Sequence, residues 1–194
     1  MKTVKLETPI STDAVRSLEV GDMVYLHGII YSARDFAHAK MKETIAEVGE
    51  LPFELKGGVI FHAGPVVAKK PDGWNIEVFG PTTSLRLEGY ARFVAELGVK
   101  LIIGKGGMGE ESRKAFVENG MAYLQAAPGC GVKMAQNIKK VSNVFWPELG
   151  LAEAVWALQV EEMGPFIVGM DASGRSVYTE LAEKAMSLID EWYK

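Results

Sequence analysis

Lys100-Leu101-Ile102-Ile103-Gly104-Lys105-Gly106-Gly107-Met108-Gly109-Glu110 reads as an apolar strand, a glycine turn and the start of a helix. The same rhythm extends on both sides. A helix is expected over 85–97, the strand over 100–103, a helix over 110–119 and a strand over 121–126. A shorter helix near 132–138 leads to a strand over 141–145. Two further strands, 154–160 and 166–170, precede a last helix over 178–192. Strand–helix alternation of this kind favours a parallel sheet covered by helices.

The half before residue 81 has a different texture. Residues 23–30, 59–61 and 74–79 read as strands, with Gly64-Pro65 and Pro71-Asp72-Gly73 as turns between them. Phe36, Ala37, Met41, Ile45 and Val48 recur at helical spacing, which places one helix over 35–48. The expected fold class is α/β: a β-rich first half followed by an alternating helix–strand half. No internal repeat, low-complexity tract or flexible linker divides it, so residues 1–194 are read as a single domain.

Composition narrows the function. A hydrophobic content of 48% with 24% charged residues is that of a globular chain. The formal charge of −4, with no basic run, gives no general attraction to nucleic acid or anionic membranes. The first residues lack an apolar leader segment, and no window approaches a membrane span, so a cytoplasmic protein is expected. With one cysteine, Cys130, no disulfide forms within the chain. That thiol alone cannot hold a structural zinc or an iron–sulfur cluster. His27, His38 and His62 are widely spaced, so no metal ligand is assigned here.

Four stretches could carry chemistry. In Ser32-Ala33-Arg34-Asp35-Phe36-Ala37-His38, Asp35 is placed to cap the following helix. That leaves Arg34 at a positively polarised terminus, where a cation is explained by an anion bound beside it. The competing explanation is a surface arginine paired with a carboxylate. His38 is read first as a packed or solvated residue, and second as support for the site. In Gly80-Pro81-Thr82-Thr83-Ser84-Leu85-Arg86 one hydroxyl is expected to cap a helix. Two hydroxyls are then left over, and with Arg86 and the helix amides they suit a carboxylate or phosphate.

The turn from Gly104 to Gly109 matches G-x-G-x-x-G, but no Asp or Glu lies between Glu118 and Glu148 to hold a ribose. Nor does a Ser or Thr follow Lys105, as a phosphate loop requires. Lys105 remains a point charge for an anion. Ala127-Pro128-Gly129-Cys130 is another turn into a helix, and its cysteine is read as a small buried side chain.

Taken together, these segments resemble the β subunit, or C-terminal domain, of the class I iron–sulfur fumarate hydratase and L-tartrate dehydratase family. The matching pieces are the Ala33-Arg34-Asp35-x-Ala37-His38 motif, Gly80-Pro81-Thr82-Thr83 with Arg86, and Gly104-Lys105-Gly106. Ile138-Lys139-Lys140-Val141 and the run from Glu148 to Gly169 continue the likeness, so nearly the whole chain is covered in order. Gly106-Gly107-Met108 departs from the more polar continuation found after the lysine in some relatives.

The resemblance implies a swivelling β/β/α domain in a reversible hydro-lyase, most simply fumarate hydratase, with L-tartrate dehydratase the alternative. It implies that a 4Fe–4S cluster sits on a partner α subunit and is not bound by this chain, in a heterotetramer with two of each subunit. It assigns Arg34, Arg86 and Lys105 to the carboxylates of a small dicarboxylate and Thr82 to the reacting carbons. Asp35, His38 and Thr83 are supporting residues by proximity to those motifs. A reading from a different class, a non-catalytic phosphate- or nucleotide-binding module around 104–109, predicts binding without a partner.

Overall fold

The computed structural model describes residues 1–71 and 73–192. The chain is a mixed α/β protein. Its elements in order are β1 (Thr3–Glu7), α1 (Thr12–Arg16), β2 (Met23–Ser32), α2 (Asp35–Val48), β3 (Val59–Phe61), β4 (Val66–Lys70) and β5 (Gly73–Val78). A 3-10 helix, Ser84–Tyr90, runs into α3 (Ala91–Glu96), then β6 (Leu101–Gly104), α4 (Glu110–Asn119), β7 (Ala122–Gln125) and α5 (Gly131–Ala135). After β8 (Ile138–Phe145) and a 3-10 turn at Pro147–Leu149, β9 (Val155–Met170) and α6 (Val177–Trp192) complete the chain.

Seven strands form one sheet in the order β1-β2-β3-β6-β7-β9-β8, and β2 also pairs with β9. The run β2-β3-β6-β7 is parallel, while β9 is antiparallel to β2, β7 and β8. Because β2 and β7 both bond to β9, the pairings close into a ring. The hairpin β4–β5 is a separate pair.

Strand alternation sends successive side chains to opposite faces. Val59, Phe61, Leu101, Ile103 and Leu124 enter one core with Leu26, Trp156, Leu158 and Phe166. Ile60, Ile102 and Tyr123, one residue out of phase, enter a second core with Met41, Val94 and Phe116 of the helices. The central strands are therefore apolar on both faces, which is why 59–61 and 101–103 read as unbroken apolar runs. Each fully buried large apolar side chain contributes roughly 1.5–3 kcal/mol.

Several sequence expectations change. The helix expected over 85–97 is a 3-10 helix followed by one short α-helix, broken at Tyr90. The helix near 132–138 stops at Ala135, and Ile138 already pairs with Val160. The two strands at 154–160 and 166–170 are one, β9, because β2 pairs with it on both sides of the intervening residues. β1, α1 and β4 were not read as elements. Cys130 is exposed rather than buried. The turn expected at Pro71-Asp72-Gly73 includes Asp72, which lies outside the described residues. Among the described residues no helix is long and apolar enough to cross a membrane.

Candidate functional site

Parallel strands end on a common edge, and here β2, β3 and β6 deliver Arg34, His62 and Lys105 to it. The Gly80–Thr83 turn is laced across that edge by backbone bonds. Thr82 N–H donates to the His62 carbonyl at 2.7 Å, Lys105 N–H to the Thr82 carbonyl at 3.2 Å, and Ser84 N–H to the Lys105 carbonyl at 3.0 Å. Sequence segments that looked independent are thus fixed in one place, beyond the carboxyl ends of the strands where α/β sheets bind ligands.

Arg86 ties two of them together. Its Nη2 donates to Asp35 Oδ2 at 2.9 Å and to Thr82 Oγ1 at 3.0 Å. The Thr82 hydroxyl accepts that bond, so its own proton is free to donate. Lys105 is half-buried, and its amine forms no ion pair or hydrogen bond among the described residues. Thr83 is exposed.

Two capping expectations are overturned. Asp35 is the first helical residue of α2 and Arg34 holds the cap position, without a side-chain cap bond. The α2 amide of Phe36 is instead satisfied by Glu153 Oε2 at 3.1 Å. Thr83 occupies the cap position of the 3-10 helix, also without a side-chain bond. Of the three hydroxyls, Thr82 is committed to Arg86 and Ser84, fully buried, to His62 and Tyr123, while Thr83 is exposed.

Arg34 is ion-paired with Glu153, Nε to Oε1 at 3.2 Å, in the manner of the competing explanation. The Nε–H is not aligned for a hydrogen bond. The two terminal nitrogens form none among the described residues, so the fork that grips carboxylates stays uncommitted.

Beneath these groups lies a buried polar layer that sequence reasoning missed in part. His38 is 1% exposed, and its Nδ1–H donates to the Arg34 carbonyl at 2.8 Å. Burial pulls its pKa down to about 4, so it is neutral near pH 7. Its ring meets those of His62 and Tyr90, each at 5.3 Å. His62, not singled out from sequence, is equally buried and bonds Ser84 Oγ through Nδ1 at 2.9 Å. Burial first, then repulsion from the His38 ring when that is protonated, depress its pKa well below the usual value. Its place directly after an apolar strand was the available signal. Tyr178 of α6 donates to Gln125 Oε1, which also accepts from Gly106 N–H, so α6 steadies the lysine-bearing turn.

The phosphate-loop reading loses its basis. Glu88 accepts from Gly109 N–H at 2.7 Å and from Ser112 N–H at 2.9 Å, so an internal carboxylate holds the start of α4. Among the described residues no three His, Cys, Asp or Glu side chains converge to hold a metal ion. A surface cavity of about 650 Å³ lined by Thr8, Ile10, Tyr31, Lys56 and Lys100 contains none of the candidate residues.

Comparison with known proteins gives a consistent picture. Residues 1–181 match the family described as "Fumarase C-terminus". The chain is 36% identical over 191 residues to "L(+)-tartrate dehydratase subunit beta" of Escherichia coli (strain K12), covering 96% of this chain and 94% of that one. It is 44% identical over 179 residues to "Putative L(+)-tartrate dehydratase subunit beta" of Methanocaldococcus jannaschii, covering 91% and 92%. A third relative, "Putative fumarate hydratase class I" of Geobacillus stearothermophilus, is 34% identical over 193 residues. That alignment takes in 98% of this chain and 36% of the longer relative.

Proposed function

The chain belongs to the fumarase C-terminus family of class I fumarate hydratases and L(+)-tartrate dehydratase β subunits, and from that membership we propose that it is the β subunit of a two-chain hydro-lyase acting on a small dicarboxylate. Reversible hydration of fumarate to L-malate is the first reading. Dehydration of L-tartrate is the second, favoured by the names of two relatives that match more than nine-tenths of this chain.

The observation that carries the proposal is the Arg86 bridge between Asp35 and Thr82, on a turn whose backbone is bonded to that of Lys105. Arg34 and Arg86 take the substrate carboxylates, and Lys105 adds a third positive charge. Removing a proton next to a carboxylate builds negative charge on the substrate, which fixed cations stabilise. Each charged hydrogen bond contributes roughly 1.5–3 kcal/mol.

Thr82 holds or delivers the proton at the reacting carbon through Oγ1. A hydroxyl is too weak an acid to do this alone, and the Arg86 cation beside it favours the deprotonated form. The iron–sulfur cluster of the proposal, a Lewis acid for the departing hydroxyl, belongs to the α subunit. The domain type is the swivelling β/β/α unit, docking against α with its strand-end edge, and the assembly is two of each chain.

Co-expression with an α subunit, followed by assay on L-malate, fumarate and L-tartrate, tests this. The isolated chain is expected to be colourless and inactive, and the complex brown and active. Turnover by the isolated chain, or iron–sulfur absorption on it, would overturn the subunit assignment. Relative kcat/KM on the substrates decides between the two readings.

A further inference from the structure

We infer that Glu153 and Gly64 form a clamp that sets the direction of the Arg34 guanidinium, which makes Glu153 a positioning residue for substrate. The inference rests on the reading of Arg34 as a carboxylate ligand.

Glu153 follows the turn at Pro147–Leu149, where its own N–H and that of Ala154 both donate to the Gly150 carbonyl, at 2.9 and 2.8 Å. The side chain is only 16% exposed, so its carboxylate is held rather than mobile. It uses both oxygens. Oε2 accepts from Phe36 N–H at the start of α2, and Oε1 faces Arg34 Nε at 3.2 Å. One carboxylate therefore locks the helix start to the side chain that precedes it.

Gly64 closes the opposite side. A Cβ there would stand 2.9 Å from Arg34 Cδ, 3.1 Å from Nη1 and 2.4 Å from the Ala152 carbonyl oxygen. Only glycine lets the residue 64 backbone, the Ala152 carbonyl and the arginine stem pack this closely. The Arg34 main chain is fixed as well, because its carbonyl accepts from both His38 N–H and His38 Nδ1–H. With the Nε edge against Glu153, the Nη1/Nη2 fork is left facing away. That is the edge which takes a carboxylate end-on with two parallel hydrogen bonds.

Glu153→Gln is the informative variant. An amide keeps an acceptor oxygen for Phe36 N–H but carries no charge, so the ion pair to Arg34 Nε is lost. In the α–β complex, Glu153→Gln should lower kcat/KM about 10-fold with Arg34 present and less than about 2-fold in an Arg34→Ala background, since a residue acting through Arg34 has nothing left to position. A full loss that persists in the Arg34→Ala background would assign Glu153 to holding α2 alone. An unchanged kcat/KM in the single variant would overturn the clamp.

A second readout needs no activity. In the full chain, the Arg34 Nε–H resonance should exchange with water faster in Glu153→Gln than in wild type, and an equal rate again overturns the clamp. If the wild-type complex turns over no dicarboxylate, the reading of the site fails, while this exchange measurement still decides the geometry.

Discussion

Asp35 and Arg86 stand 51 positions apart in the chain and meet through a carboxylate–guanidinium hydrogen bond of 2.9 Å. Both side chains are more than a third exposed, so the pair adds about 1 kcal/mol or less to stability. Its consequence is orientation. The nitrogen that Asp35 holds is the one that also reaches Thr82, so one ion pair ties α2, the hydroxyl turn and the 3-10 helix to a common geometry.

Arg86→Lys and Arg34→Lys keep the charge but lose the planar fork. Each is expected to lower kcat/KM of the α–β complex by about 10-fold to 1,000-fold, at ~1.4 kcal/mol per decade. Because Arg86 is 48% exposed, its variant should melt within a few degrees of wild type. Steady-state kinetics with a thermal melt on the same preparation checks both. An unchanged rate would return that arginine to an ordinary surface pair.

Thr82→Ala separates chemistry from stability. The hydroxyl bonds Arg86 and caps no helix, so its removal should leave the melting temperature nearly unchanged. If Thr82 moves the proton, kcat falls by about 100-fold or more while KM stays near normal. A full kcat in Thr82→Ala would remove it from the proposed machinery.

Buried histidines give the fold a pH dependence with a definite sign. His38 is held at about 4 and His62 well below its usual value, both chiefly by burial. Unfolding returns each to about 6.5, so the unfolded chain binds more protons between those limits. Stability is therefore full above about pH 6.5 and declines as pH falls toward the folded values. For His38 the interval from 6.5 to about 4 corresponds to about 3 kcal/mol. Urea midpoints should drop between about pH 7 and about pH 5, and His38→Gln should make the drop shallower by about one proton's worth. A flat profile would contradict the buried, neutral state.

The lysine turn depends on α6. Gly107 has φ +75°, and a Cβ there would lie 2.5 Å from the Tyr178 ring. Gly107→Ala should destabilise the chain by roughly 1–3 kcal/mol and raise KM by displacing Lys105. Tyr178→Phe, which loses the hydroxyl's bond to Gln125 and keeps the ring, should cost about 1 kcal/mol. Chemical denaturation of the two variants ranks them, and equal stability losses would argue against the steric reading of Gly107.

Much of the fold was legible because its signals are local. The apolar runs at 59–61 and 101–103 and the helical spacing over 35–48 and 110–119 depend only on residue type and period, and they form where expected. Thr3–Glu7 shows the limit of that reading. Val4 and Leu6 alternate with Thr3, Lys5 and Glu7, a usable period of two, but the stretch is short and charged, and only its pairing with β2 makes it a strand.

Residue type alone also marked Arg34, Thr82, Arg86 and Lys105 as groups able to meet an anion, since fixed charge and hydroxyl chemistry travel with the side chain. What each one touches was decided by the tertiary structure. Glu153 reaches the start of α2 from 117 positions away, and Arg86 finds Asp35 from 51. The expected gap between 160 and 166 did not end β9 because β2 supplied pairing partners on both sides of it. Caps, ion pairs and continuous strands are competitions among donors and acceptors. The winners are set by which groups the fold brings within about 3 Å, a distance that sequence spacing does not encode.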